Sequence, residues 1–461
     1  MKRQALVAVC LLAAASFAAF AAPAQAQMLD ARRLGMGGVA TSDNGASRTA
    51  NIAFRGVPQG HSSRSIPLPI GLIQYAHNHP TFDTSDSTFN IFKILNLVSN
   101  PPLTLQLSKP KDVSGDISVF VARDSLRVDL DDVRRAIPKD GWKQGGVYHL
   151  MAVGIGIKQF FVQVVPTVHV RNEFKLDPAL RRALRDAEPF VGNTRYGTTD
   201  DGVAQAAIAW QAGMTVRPFY HAPMDANVGD QDDPNADDPR RNGATALYVG
   251  AAPKVFWGLA YGSLKGSAGA TTGDTLFGSG NPVAIDMSVL TRDAAIGGDG
   301  GSGHGTGADV GGVAFYHNFE LGVGINDFGS EIHWKTTVKQ HVYNDSLNQF
   351  TTTTLGRDVE TTSRIPAAVT VNVAKRSGSM TLAADFVDTE LRTTVHLGVE
   401  RWMGNLAVRG GAYRDTNGRW QITGGSGLRF GGIGVDLAVA THSRNIEEAR
   451  AAELCASLTL Y

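Results

Sequence analysis

The chain has 461 residues, with 43 basic and 43 acidic side chains, 43% hydrophobic residues, 52 Gly and two Cys. Losing Lys2 and Arg3 with an export leader would leave a net charge of −2, so there is no basic stripe of the kind that dominates nucleic-acid affinity. Cys455 would then be the only cysteine, which excludes an internal disulfide and a cysteine zinc site.

Lys2 and Arg3 precede an uncharged stretch from Ala5 to Ala22, and Ala24-Gln25-Ala26 supplies the small residues a signal peptidase needs before Gln27. Residues 1–26 are therefore expected to be a signal peptide and residues 27–461 the mature protein. A lipoprotein reading would use Cys10, but Val9 is too large and the apolar stretch ahead of it too short. After residue 26 no apolar run reaches the roughly 18 residues that a membrane-spanning helix requires.

The mature part opens on Arg32-Arg33-Leu34-Gly35-Met36-Gly37-Gly38-Val39-Ala40, followed by Thr49-Ala50-Asn51-Ile52-Ala53. Gly35, Gly37 and Gly38 allow tight turns against a wall; a flexible glycine-containing leader is the plainer alternative. Phe89, Phe92, Leu95 and Val98 recur at helical spacing before Pro101 and Pro102. Leu126, Leu130, Val133 and Ile137 predict a second short helix, ended by Pro138. Asp177 and Pro178 start a third, with Leu180 and Leu184 on one face.

Most of the rest alternates apolar with small or polar residues, as strands with one apolar face do. Runs of this kind are Ile117 to Val121, Val153 to Ile157, Val255 to Tyr261, Leu321 to Ile325, Val369 to Val373, Val395 to Glu400, Leu406 to Tyr413 and Ile433 to Ala440. The pattern predicts an all-β chain. A soluble sandwich and a membrane barrel share it. Three features favour the barrel. The faces opposite the apolar sets carry Asp385, Glu400, Arg409, Arg429 and Asp436, which suits a wet lumen. Trp257, Tyr261, Trp402, Tyr413 and Trp420 fall near predicted strand ends, where interfacial aromatics belong. The chain also ends inside a strand, Leu454 to Tyr461, which can close the sheet and remove a free edge. At about 9 to 11 residues each, some 14 strands fit within the mature chain with long loops to spare.

Candidate chemistry is sparse. Residues 230–238 concentrate carboxylates as a calcium loop would, but lack its central Gly and terminal Glu, so a solvated loop is expected. The Gly-rich stretch 296–312 reads as a flexible loop. It is no phosphate cradle, because no Lys-Ser or Lys-Thr follows a second Gly. There is no Gly-x-Ser-x-Gly elbow and no His-Glu-x-x-His pair, and His304 beside Ser302 has no identifiable Asp partner. Neither enzyme activity nor a cofactor is expected.

Residues 32–46 resemble the opening of the FadL-like superfamily of outer-membrane barrels, which includes fatty-acid channels, the secretion component PorV and the conjugation-associated TraF proteins. Leu382 to Asp385, Leu397 to Glu400, Leu406 to Tyr413, Gly425 to Phe430 and Val435 to Ala438 are similar to the closing strands of PorV- and TraF-type members. The chain departs from the pattern at Thr49 to Ala53, which keeps the Asn of an aromatic-Asn-Pro-Ala element and lacks its Pro. It also departs at Tyr461, which falls on the face opposite Leu454, Ala456, Leu458 and Leu460.

The resemblance implies a closed antiparallel transmembrane barrel of about 14 strands in the bacterial outer membrane, with a few short helices in loops. It implies an N-terminal hatch over residues 28–56 that includes Gly35, Met36, Gly37, Gly38 and Asn51. Phe89, Phe92 and Leu95 become candidates for a hydrophobic capture surface; packing of their loop against the rim is the plainer reading. The implied function is an uptake channel for hydrophobic, fatty-acid-like molecules. The alternative is an accessory barrel that binds secretion or conjugation proteins. Lipid is the expected partner in both cases.

Overall fold

The computed structural model describes residues 30–58, 64–68, 103–106, 117–122, 125–130, 141–149, 152–157, 159–221, 238–274, 284–296, 301–344, 347, 349–389, 392–414, 420–441 and 451–460. The expected signal peptide, residues 1–26, and Phe89, Phe92 and Leu95 lie outside them. So do Tyr461 and all of the acidic run except Asp238.

Strands dominate, as the period-two pattern requires. In chain order they are β1 (Arg64–Leu68), β2 (Leu103–Gln106), β3 (Ile117–Ala122), β4 (Ser125–Leu130), β5 (Trp142–His149), β6 (Val153–Ile157), β7 (Phe160–Leu176), β8 (Arg195–His221), β9 (Thr245–Thr271) and β10 (Ala284–Ala295). They continue with β11 (Gly303–Tyr316), β12 (Phe319–Asn344), β13 (Gln349–Arg364), β14 (Ala368–Ser377), β15 (Met380–Thr389), β16 (Arg392–Met403), β17 (Leu406–Arg414), β18 (Trp420–Phe430), β19 (Ile433–Thr441) and β20 (Ala451–Leu460). Eighteen of them form one antiparallel sheet, and β3 and β4 make a separate hairpin.

Successive strands pair along the sheet from β14 to β20, and β20 turns back to pair with β1 and β2. Four pairs of strands lie end to end against a shared neighbour. These are β1 and β2 along β20, β5 and β6 along β7, β10 and β11 between β9 and β12, and β13 and β14 along β12.

The two faces of the sheet are sorted in the sense opposite to that of a water-soluble fold. On β19, Val435, Leu437 and Val439 are 37%, 45% and 39% exposed, whereas Asp436 between them is 2% exposed. Leu397 on β16, Val408 on β17, Phe386 on β15, Leu321 on β12 and Trp257 on β9 repeat the pattern: apolar outward, with small or charged neighbours buried. An apolar outer face over a polar inner one is what hydrocarbon surroundings select.

The inner face holds residues 30–58. A helix, Ala31–Gly35, begins at Asp30, whose Oδ1 accepts from the Arg33 N–H at 2.8 Å. Two 3-10 turns follow, Gly45–Thr49 capped by Asn44 and Ile52–Arg55 capped by Asn51. Such short helices are marginal alone and persist through tertiary packing. The helix lies against β17 to β20 and the last turn against β8, β9 and β11, so the sheet curves around this segment.

Three expectations need correction. Leu126 and Leu130 stand on strand β4, because Leu126, Val128 and Leu130 also alternate with Arg127 and Asp129 and their pairing with β3 selects the period-two reading. The Gly-rich stretch is not one loop, since residues 303–312 belong to β11, where Gly311 and Gly312 let the wall approach Asn51 of the N-terminal segment. His304 is therefore on a strand and points outward. Tyr261 and Tyr413 are buried on the inner face, Tyr413 bonded to Gln421, and Trp402 donates to Glu400 there, so these three are not interfacial aromatics. The third helix is as expected, with Asp177 capping Pro178–Arg185. Among the described residues no helix is long and apolar enough to cross a membrane, which says nothing of strands.

Candidate functional site

The N-terminal segment is fixed to the inner wall by buried ion pairs between residues hundreds of positions apart. Arg32 donates through Nε (2.9 Å) and Nη2 (2.7 Å) to the two oxygens of Glu400 on β16, and Nη2 also reaches Asp43 at 2.9 Å. Glu400 is 1% exposed and receives Arg409 Nε at 2.7 Å as well, while Arg409 Nη1 reaches Asp436 at 2.7 Å. A bidentate guanidinium–carboxylate pair with the remaining lone pairs satisfied is the arrangement in which burial of charge is tolerated. A second anchor is Glu320 on β12, which accepts from the Ser42 N–H (3.0 Å) and Oγ (2.6 Å), from Asn372 Nδ2 (3.1 Å) and from Arg376 Nη2 (3.0 Å). Asp385 on β15 accepts the Ala40 N–H.

Asp43 is caught between Arg32 and Arg376. Burial pushes its carboxyl up, but these two guanidiniums and Arg240 outweigh burial and hold it well below the usual carboxylate range.

The glycines singled out from the sequence sit where backbone meets backbone. Gly37 has φ +70°, and a Cβ added there would lie 2.3 Å from the Leu397 carbonyl oxygen. On the facing wall, a Cβ on Gly411 would fall 2.3 Å from the Gly37 nitrogen. Gly35 lies over Gly425 of β18, and Gly38 turns with φ +87° and accepts from Arg33 Nε. Met36 is buried with Val39, Ala374 and Ala383. Asn51 caps its turn through Oδ1 and donates from Nδ2 to the Gly312 carbonyl at 3.0 Å, while Asn326 of β12 donates to the Thr49 carbonyl at 2.8 Å. All five expected hatch residues thus lie in one interior segment.

A second polar network continues from the end of this segment. Arg55 donates to Gln163 on β7, which donates to Gln211 on β8, which donates to Asp309 on β11 at 2.6 Å. Lys254 on β9 bridges Asp309 and Asp327, both at 2.7 Å, and His149 Nε2 on β5 lies 2.9 Å from Asp327 across the interior. Asp327 reaches inward because β12 bulges there, with Asp327 at φ +56° and Gly329 at φ +62°.

Beyond this network lies an apolar cluster of Val147, Phe256, Tyr261, Ile332, Trp334 and Ile365, in which Tyr261 and Trp334 stack at 5.4 Å. At its margin Trp334 Nε1 donates to Ser363 Oγ, Ser363 donates to Gln205, and Gln205 meets His169.

The sequence pointed to Asp385, Glu400, Arg409, Arg429 and Asp436 as inner-face charges; four of the five are buried there, and Arg429 is half-buried with its guanidinium over the Trp402 ring. It missed Glu320, Lys254, Asp309, Asp327 and His149. Lys254 was discoverable, since it occupies the inward parity of β9 between Ala252 and Phe256. Asp238 caps the helix Pro239–Asn242 and pairs with Arg240, which is a structural role. Among the described residues no group of three or more His, Cys, Asp or Glu is placed to hold a metal.

No protein family and no curated protein matches the chain. Among solved structures it is similar to the P. putida toluene transporter TodX, with 11% identity over 66% of this chain and 89% of that one and a TM-score of 0.26. The toluene transporter TbuX of Ralstonia pickettii gives 10% identity, 69% and 85% coverage and a TM-score of 0.28. A Pseudomonas aeruginosa FadL homologue gives 12% identity, 66% and 89% coverage and a TM-score of 0.26.

Proposed function

We propose that the chain is an outer-membrane β-barrel of FadL-like type that takes up hydrophobic small molecules past an N-terminal hatch. Counting each end-to-end pair of strands as one stave turns eighteen strands into fourteen, and closure would join the β1–β2 stave to the β5–β6 stave. The observation that carries the reading is the inverted sorting of the sheet, apolar outside and charged inside around residues 30–58. The apolar cluster around Trp334 supports an apolar cargo, because each CH₂ leaving water contributes about 0.8 kcal/mol. Phe89, Phe92 and Leu95 remain candidates for first capture. The role is transport, with no chemistry on the passenger and no cofactor.

The experiment is expression in a Gram-negative host, fractionation, and uptake of a fluorescent hydrophobe such as N-phenyl-1-naphthylamine. Outer-membrane recovery with faster uptake than in vector-only cells supports the reading; recovery in a soluble fraction defeats it. A protein-binding accessory barrel of a secretion or conjugation system is favoured by one observation, the ion pairs that cross the interior between Asp327, Lys254 and His149. Correct outer-membrane insertion with uptake no faster than vector-only would select it.

A further inference from the structure

We propose that His169 is a hydrogen-bond donor for the passenger, and that the interior therefore prefers an apolar molecule carrying one neutral carbonyl-type acceptor over a bare hydrocarbon. This rests on the uptake reading above and narrows its substrate class.

His169 stands on β7 between Val147 of β5 and Gln205 of β8, and is 4% exposed. Its tautomer follows from its neighbours. Gln205 Nε2 lies 3.1 Å from the Arg364 carbonyl oxygen, which only accepts, so Nε2 is the amide nitrogen. The same nitrogen lies 3.0 Å from His169 Nδ1, and Gln205 Oε1 is engaged by Ser363 Oγ. Nδ1 thus accepts, and the ring proton of the neutral imidazole sits on Nε2. That N–H is buried and has no hydrogen-bond partner among the described residues. Thr167, the next inward residue on β7, is engaged by His149 Nδ1 at 3.2 Å, and His149 Nε2 by Asp327, so that histidine is committed elsewhere.

A buried donor without an acceptor costs free energy that an arriving acceptor recovers. Val147 pairs with His169, and Tyr261 and Trp334 are linked to it through Gln205 and Ser363, while Arg171 stands two residues along the same face of β7. A hydrocarbon brought against His169 would leave the donor unmet. An ionised carboxylate would surrender its hydration for one neutral donor, which is unfavourable, because the neighbouring Arg171 guanidinium is already paired with Asp201 at 3.3 Å. A ketone, aldehyde or ester meets both conditions.

Equilibrium dialysis of the protein in nanodiscs, against empty nanodiscs, tests this with acetophenone, ethylbenzene and benzoate. The expected result is acetophenone binding about tenfold tighter than ethylbenzene, with benzoate weakest. His169→Phe should bring the acetophenone-to-ethylbenzene ratio to about one while retaining ethylbenzene binding, which also reports that the variant is folded. His169→Gln, which keeps an N–H donor, should restore part of the preference. Equal binding of acetophenone and ethylbenzene to the unaltered protein, a ratio unmoved by His169→Phe, or benzoate binding tightest would each overturn the inference and leave the uptake reading standing. Binding of none of the three would count against the uptake reading, and the inference would fall with it.

Discussion

Glu400→Gln should release the N-terminal segment without unfolding the wall. The carboxylate is 1% exposed and balances two guanidiniums, receiving Arg32 twice and Arg409 once, with Trp402 Nε1 at 3.0 Å as a fourth donor. Removing one partner of a buried pair typically costs 3–5 kcal/mol. Here Arg32 keeps Asp43 and Arg409 keeps Asp436, and Gln retains one acceptor oxygen, so a loss of about 2–4 kcal/mol in docking is expected. That corresponds to roughly a 30- to 1,000-fold rise in the undocked population. Hydrogen exchange read by mass spectrometry on the detergent-solubilised protein should show faster exchange for residues 30–58 by a factor in that range, with β15 to β19 unchanged. Unchanged exchange in residues 30–58 would refute the anchoring role, and equal acceleration in the strands would refute the separation of this segment from the wall.

Gly411→Val places side-chain atoms against the Gly37 nitrogen and should displace the segment as Glu400→Gln does, read by protease sensitivity between residues 30 and 58 with the strands still protected. Leu437→Arg puts a charge on the outer face at a cost of about 2–4 kcal/mol if it lies near the bilayer midplane; heat-modifiable migration in detergent gels should drop, whereas Leu437→Val should leave it intact. Asp43 titrates below the ordinary carboxylate range in the docked state, so it contributes docking stability at and above its undocked value of about 4 and loses it as pH falls through the lowered value. The Asp43 contribution, read as the difference in exchange protection of residues 30–58 between the unaltered protein and Asp43→Asn, should therefore be constant from pH 7 to about pH 5 and shrink only in stronger acid.

The strand pattern was legible because the side-chain period of two exposes itself wherever one face is uniformly apolar, as in Ile433 to Ala440. The same parity assigned Asp385, Glu400, Arg409, Arg429 and Asp436 inward. Pairings across the interior were not legible: Arg32 meets Glu400 across 368 positions, and nothing local to either marks the other. The inward turn of Asp327 needs a bulge, and a bulge depends on register against β11 rather than on local sequence. Aromatics misled for a related reason. Tyr261, Trp402 and Tyr413 were placed by distance from strand ends, but parity decides their face, and β8 and β9 run 27 residues each, well beyond the length a membrane strand needs. Leu126 to Leu130 fits both periods, and only the hairpin partner chooses between them.

The central claim, that the aliphatic face of β19 meets lipid, is tested most directly by spin labels. Single nitroxides at each position from Ile433 to Ala440, in liposomes and with Cys455 replaced by Ala, should show high oxygen accessibility at 433, 435, 437 and 439 and low accessibility at 434, 436, 438 and 440. Low oxygen accessibility at positions 435, 437 and 439, equal to that of their neighbours, would contradict it.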